Sequence, residues 1–323
     1  MNKIFNIKRT KMVDEAAFNH KPTMLGRSIL CFFLVFSIAT LASNLLTNMP
    51  IVYMAINSIE GEVISTEELL NAITEMSLDS LPWWISLLTL FSKAFFIVAP
   101  IIFSMKLEKR SIFSMGIRKK GVALEILLGL GIGGVMVALA FLVNLLVGSM
   151  SFEFKGFSPI ILIYFVGFMV ASLGEELLVR GYFMTSLARD VRPFSAIIIS
   201  ALVFALFNLS TVFNLVSFLN TFLFGIFLGI FVFKRGSIWG SFAIKLVWGF
   251  GSACILGAPA YYLTMPSLFK TTYNNVQIVS GSDVYGFESG IVLTVMLIAL
   301  VGISLLLKTK KSEESEINID YFK

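Results

Sequence analysis

Two adjacent carboxylates and an arginine, Glu175, Glu176 and Arg180, stand in an otherwise apolar stretch from Ala171 to Phe183. Charges are costly in a helix that faces lipid, so such residues build either a functional site or a structural ion-pair network. Glu176 and Arg180 are four apart, share a helix face and can pair, with the acid N-terminal to the base. Glu175 points about 100° away around the helix, where it can meet another helix. Two like charges this close repel one another unless cations compensate.

Depth identifies what else can reach them. If the helix runs to Arg189, Glu175 lies about 21 Å from that end, and Asn208, counted back from Phe194 on the next helix, also lies about 21 Å deep. Lys245 is about 12 Å from Ser237 by the same count, and its long side chain can climb toward the carboxylates. Glu175, Glu176, Arg180, Asn208 and Lys245 therefore form a candidate polar cluster. Taken alone, Asn208 also fits a simple helix-to-helix hydrogen bond. Two further charges in apolar runs, Lys93 and Glu125, fit snorkelling or a structural ion pair.

The elements that must position this cluster are membrane helices. Hydrophobic residues make up 57% of 323 positions and charged residues 14%, more apolar surface than a water-soluble domain can hide. Runs of roughly 20 apolar residues, the length that crosses about 30 Å of hydrocarbon, fall near 28–47, 83–104, 121–147, 159–187, 194–209, 213–233, 238–258 and 290–307. The fifth is the shortest. The expected fold is all-α, a polytopic transmembrane bundle of about eight spans. It has a basic tail at 1–27, a single membrane domain at 28–307 and a second tail at 308–323. The first run is longer than the apolar part of a cleaved signal peptide and reads as a retained span.

Orientation follows from the basic residues. The first tail holds Lys3, Lys8, Arg9, Lys11, Lys21 and Arg27, whereas 48–81 has no Lys or Arg and carries Glu60, Glu62, Glu67, Glu68, Glu75 and Asp79. The tail is thus expected inside and the acidic segment outside, which puts both termini in the cytoplasm. The pattern continues with Lys106, Lys109, Arg110, Arg118, Lys119, Lys120, Arg189, Arg192, Lys234, Arg235, Lys308, Lys310 and Lys311 inside, and with Lys155 and Lys270 outside. Cys31 and Cys254 fall in opposite leaflets, too far apart for a disulfide. The net charge of +5 sits beside span ends and not on a soluble face, which argues for anionic lipid headgroups as partner and against nucleic acid.

At these residues the sequence resembles the CAAX-processing and bacteriocin-processing intramembrane endopeptidases. Glu175, Glu176 and Arg180 match the family's Glu-Glu-x-x-x-Arg, with Gly181 and Tyr182 following. Phe204 to Asn208 is similar to its Phe-x-x-x-His, and Lys245 to Gly249 falls on its His-x-x-x-Asn. The stretches 219–225 and 236–239 also resemble bacterial members. The likeness covers about 160–250 and extends toward Tyr285-Gly286-Phe287-Glu288, for a family-like core of about 160–290. The resemblance implies an intramembrane peptidase in which paired glutamates and two histidines activate water, with or without zinc, and an asparagine holds the oxyanion. Here Asn208 and Lys245 stand where the histidines would be and Gly249 where the asparagine would be; the single histidine, His20, is in the tail.

An amide is no base near neutral pH, an ammonium repels a divalent cation, and glycine has no side-chain donor. Zinc would also lack its usual nitrogen or sulfur ligands, so no cofactor is expected. The leading reading is a non-catalytic relative in a bacterial plasma membrane. It would bind a membrane protein or hydrophobic peptide as a scaffold or bacteriocin-immunity-type protein, with Lys245 neutralising Glu175. The alternative is an active peptidase using Glu175 as base and Lys245 as a substituted electrophile. A small transporter is a third reading, disfavoured because no inverted repeat pairs two broken helices. The orientation makes a first prediction: a cysteine at position 68 reacts with an impermeant thiol reagent from outside intact cells, and labelling only from the cytoplasm contradicts it.

Overall fold

The computed structural model describes residues 10–17, 25–59, 65–75, 81–209, 214–260, 264–274, 279, 281–282 and 284–307. His20, most of the basic N-terminal tail, Asp79 and the tail at 308–323 lie outside the described residues. The chain is mostly helical, and every apolar run expected to span is helical along most of its length. A short helix α1 (Lys11–Ala17) precedes α2 (Leu25–Ser58), α3 (Thr66–Glu75), α4 (Trp83–Ser92), α5 (Phe95–Ile102) and α6 (Val122–Val147). Strand β1 (Met150–Phe154) leads to α7 (Ile160–Glu176), α8 (Thr185–Asp190), α9 (Pro193–Phe207), α10 (Leu215–Arg235) and α11 (Trp239–Phe250). Strand β2 (Phe269–Tyr273) and α12 (Ile291–Leu306) complete the order.

Among the described residues five helical stretches are long and apolar enough to cross a membrane: 26–58, 83–107, 122–147, 160–190 and 215–235. Helices α9 and α12 are apolar but shorter. In lipid the backbone must satisfy its own polar groups, and a helix does this within one segment. Helix α2 runs on to Ser58, beyond the apolar run ending at 47, and carries Pro50 inside it.

Two of the five long stretches are irregular, and the shorter α11 also ends in a π turn over Gly251–Ile255. The stretch 83–107 is interrupted at Lys93–Ala94 and ends in a π turn over Phe103–Leu107. Between α7 and α8 the helix takes π geometry over Leu177–Met184, the turn that carries Arg180. Gly174 makes the first break possible: a Cβ there would lie 2.4 Å from the Lys93 carbonyl oxygen, so only glycine lets the two backbones come this close.

The loops collect at two ends. At one, α1 packs on α8 and on the turn Ile112–Met115, Ile238 N–H donates to Gly116 O at 3.2 Å, and Trp239 Nε1–H donates to Arg118 O at 2.9 Å. Arg110 is buried there, donating to Thr185 Oγ1 at 2.6 Å and Ser186 Oγ at 2.7 Å, while Tyr182 Oη–H donates to Glu108 at 3.0 Å. At the other end β1 and β2 pair antiparallel with Glu153 opposite Lys270, and Asn274 Nδ2–H donates to Gly148 O at 2.8 Å. These are the loops that the charge pattern assigns to opposite sides. The two-stranded ribbon is an addition to the all-α expectation. Its strands lie 115 residues apart by their pairing of Phe154 with Phe269, so neither announces a hairpin locally.

Close helix contact relies on small residues, as usual where lipid competes equally for apolar side chains. Gly129 and Gly133 of α6 face Gly240, Ala243 and Ile244 of α11. Glu125 at the start of α6 pairs with Arg235 at the end of α10, with Nη2 2.6 Å from Oε1, and so is the structural ion pair its position allowed. A Cβ at Gly129 would sit 2.3 Å from Gly240 O, whereas one at Gly134 would meet nothing within 4 Å. Gly129→Ala should therefore cost about 1–3 kcal/mol of stability in a detergent melt, and Gly134→Ala should be near neutral. Equal effects would contradict this packing.

Candidate functional site

Glu175 is held by cations from two other elements. Lys245 of α11 donates to Glu175 Oε2, and Lys93, at the break between α4 and α5, places Nζ 3.9 Å from Oε1. The Gly174 contact is what brings the Lys93 backbone against α7 next to this carboxylate. Lys245 lies buried, and its ammonium is 4.4 Å from the centre of the Phe204 ring; the Arg180 guanidinium is also 4.4 Å from that centre. One aromatic ring thus contacts both cations, each of which has its own carboxylate.

The second pair is the one expected from helix spacing. Arg180 Nη1 is 3.0 Å from Glu176 Oε1, and both residues are almost wholly enclosed, at 1% and 0% exposure. Neither lines the cavity next to them. Glu175, Asn208, Lys245 and Gly249 do line it, together with Phe168, Ser172, Phe204, Asn220, Phe224, Trp248, Phe287 and Glu288. Depth counting thus brings the right helices together, and the structure sorts the six expected residues into four on the cavity and two behind it. Asn208 caps α9 and donates through Nδ2–H to Phe204 O at 2.8 Å, a local bond within its own helix end.

Sequence reasoning underrated Lys93, which belongs to the Glu175 site and not to a pair with Glu125. Its mid-run charge was the signal. Two further groups rest on a contact between distant segments. Asn220 of α10 donates to the backbone oxygens of Glu288 at 2.7 Å and Gly290 at 3.0 Å and accepts from Thr294 Oγ1 at 2.6 Å. That anchors the short turn Phe287–Ser289, and Glu288 lines the cavity. Burial pushes the Glu288 carboxyl up to about 7, with Lys245 pulling it down and Glu175 adding to the rise.

The donor set does not fit zinc. Glu175 is bound to an ammonium, Asn208 offers only an amide, and no three His, Cys, Asp or Glu side chains come together for a metal among the described residues. Cys254 is buried in an apolar cluster with Tyr164 and Phe168 and does not line the cavity, and Cys31 is on α2.

Residues 157–251 match the family model of the type II CAAX prenyl endopeptidase Rce1-like proteins. That segment holds α7 to α11 and all six expected site residues, so the resemblance read from the motifs is found again across the helices that build the cavity. The fold and the match together describe a chain with several helices long and apolar enough to cross a membrane, whose segment 157–251 is similar to the type II CAAX endopeptidases. Neither the curated proteins nor the solved structures give a match.

Removing one partner of a buried pair leaves an uncompensated charge, at a cost of several kcal/mol, here reduced by the nearby Lys93. Lys245→Met should lower stability in detergent by about 1–3 kcal/mol, and Lys245→Met with Glu175→Gln should recover much of that. Strict additivity in this double-mutant cycle would show that the side chains are not coupled.

Proposed function

We propose that this protein is a non-catalytic relative of the type II CAAX endopeptidases that uses the family's cavity to bind a hydrophobic peptide or a partner membrane protein. The observation that carries the reading is the Lys245 ammonium on Glu175. A carboxylate that accepts from an ammonium is a poor base, and the neighbouring Asn208 amide cannot replace an imidazole. The asparagine position offers no side-chain donor. A Cβ at Gly249 would lie 3.1 Å from Phe168 Cδ1 and Cε1, so a larger side chain there would need that ring to give by a few tenths of an ångström.

The wider reading is a multi-pass protein of about eight spans in a bacterial plasma membrane, with both termini cytoplasmic and basic loops against anionic headgroups. It is supported by helices under every apolar run and by the gathering of the basic loops at one end. Scaffold and bacteriocin-immunity roles both fit a cavity that binds without cutting, and neither needs zinc.

The test is to incubate the reconstituted protein with prenylated and unprenylated peptides and to follow both binding and cleavage. Binding without cleavage is expected. Cleavage that disappears in Glu175→Ala would overturn the proposal in favour of an active peptidase with substituted partners.

A further inference from the structure

The cavity lies toward one end of the molecule. Phe168 and Ser172 come from the first half of the 160–190 stretch, Asn220 and Phe224 from the first half of α10, and Trp248 from the last turns of α11. All approach the end that carries the β1–β2 ribbon, while the opposite half is filled by packed side chains such as Leu177, Tyr182 and Phe183. The ribbon end is also where the charge pattern puts the acidic segment 48–81, which has no Lys or Arg.

Inside, Glu288 differs from the other carboxylates. Glu176 is paired with Arg180 and Glu175 with Lys245, but the Glu288 side chain makes no hydrogen bond or salt bridge among the described residues. It is surrounded by protein, yet its side chain presents open surface to the cavity. The charged groups facing it are Lys245 of α11 and Glu175 of α7, with Lys93 behind Glu175. Asn220 of α10 holds its backbone, and Thr221 of α10 and Leu293 of α12 line the same cavity. Phe224, Trp248 and Phe287 supply aromatic walls of the same cavity, with Trp248 packed on both Phe224 and Phe287.

We infer that Glu288 is a ligand-binding group that accepts an ammonium carried on an apolar peptide, such as a lysine side chain, admitted from the ribbon end of the cavity. A carboxylate beside aromatic rings is the chemistry that recognises ammonium groups. Ser252, Thr221 and Asn208 donate to their own helix backbones, and their oxygens on the cavity walls are acceptors that suit peptide N–H groups better than an acyl chain. Glu288 must be ionised to bind, and its carboxyl is pushed up to about 7, so the preference for an ammonium strengthens as pH rises through 7 and fades below it. The inference rests on the reading of the cavity as a peptide site.

The probe is an Ala/Leu peptide with one lysine, compared with the same peptide acetylated at that lysine. Both carry a fluorophore and are titrated by anisotropy into the full chain in phosphatidylcholine nanodiscs. At pH 8 the free lysine peptide should bind about tenfold tighter. The gap should shrink below pH 7 in the wild type, and it should vanish in Glu288→Gln while the acetylated peptide still binds. Equal binding of the two peptides at every pH, or a gap that survives in Glu288→Gln, overturns the inference and leaves the peptide-binding reading standing. Failure of both peptides to bind removes that reading as well. Loss of the lysine preference when phosphatidylethanolamine replaces phosphatidylcholine would assign the site to a lipid ammonium and overturn the peptide as occupant.

Discussion

An ion pair in the middle of an apolar bundle sets the terms for the rest of this structure. Glu175 cannot remain charged between α7 and α11 without a cation, and Lys245 is placed to supply it. Each side chain makes the other tolerable in a low-dielectric setting. The proposed non-catalytic role rests on the same contact, because a carboxylate that accepts from an ammonium is a poor base.

Several local features serve this arrangement. Gly174 lets the carbonyl of Lys93 approach α7, which brings a second ammonium to within 3.9 Å of Glu175. Phe204 stands between Lys245 and Arg180 at 4.4 Å from each, so two cations share one ring without sharing a carboxylate. The π turn Leu177–Met184 carries Arg180 in a wholly enclosed pair with Glu176. Irregular helix of this kind concentrates where geometry matters more than regular hydrogen bonding.

Much of this was legible in the sequence because lipid imposes simple rules. Long apolar runs must be helices, and charges within them must meet partners, so the helices and the convergence of Glu175, Asn208 and Lys245 followed from counting residues along each helix. What stayed hidden depends on contacts between distant segments. The ribbon joins Met150 to Tyr273, and Glu288 reaches the cavity because Asn220, 68 positions earlier, holds its backbone. Lys93 looked like a snorkelling residue because nothing near it in sequence marks the helix break, and the glycine that permits the break lies on α7.

The central claim is that Glu175 is ionised and bonded to Lys245 in the membrane-embedded protein. Infrared difference spectra of the protein in lipid, comparing wild type with Glu175→Gln near neutral pH, test it most directly. The account predicts that the substitution removes an ionised carboxylate band and no protonated carboxyl band, and that the protonated band appears for Glu175 once Lys245→Met takes the ammonium away. A protonated Glu175 in the wild type, unchanged by Lys245→Met, would contradict it.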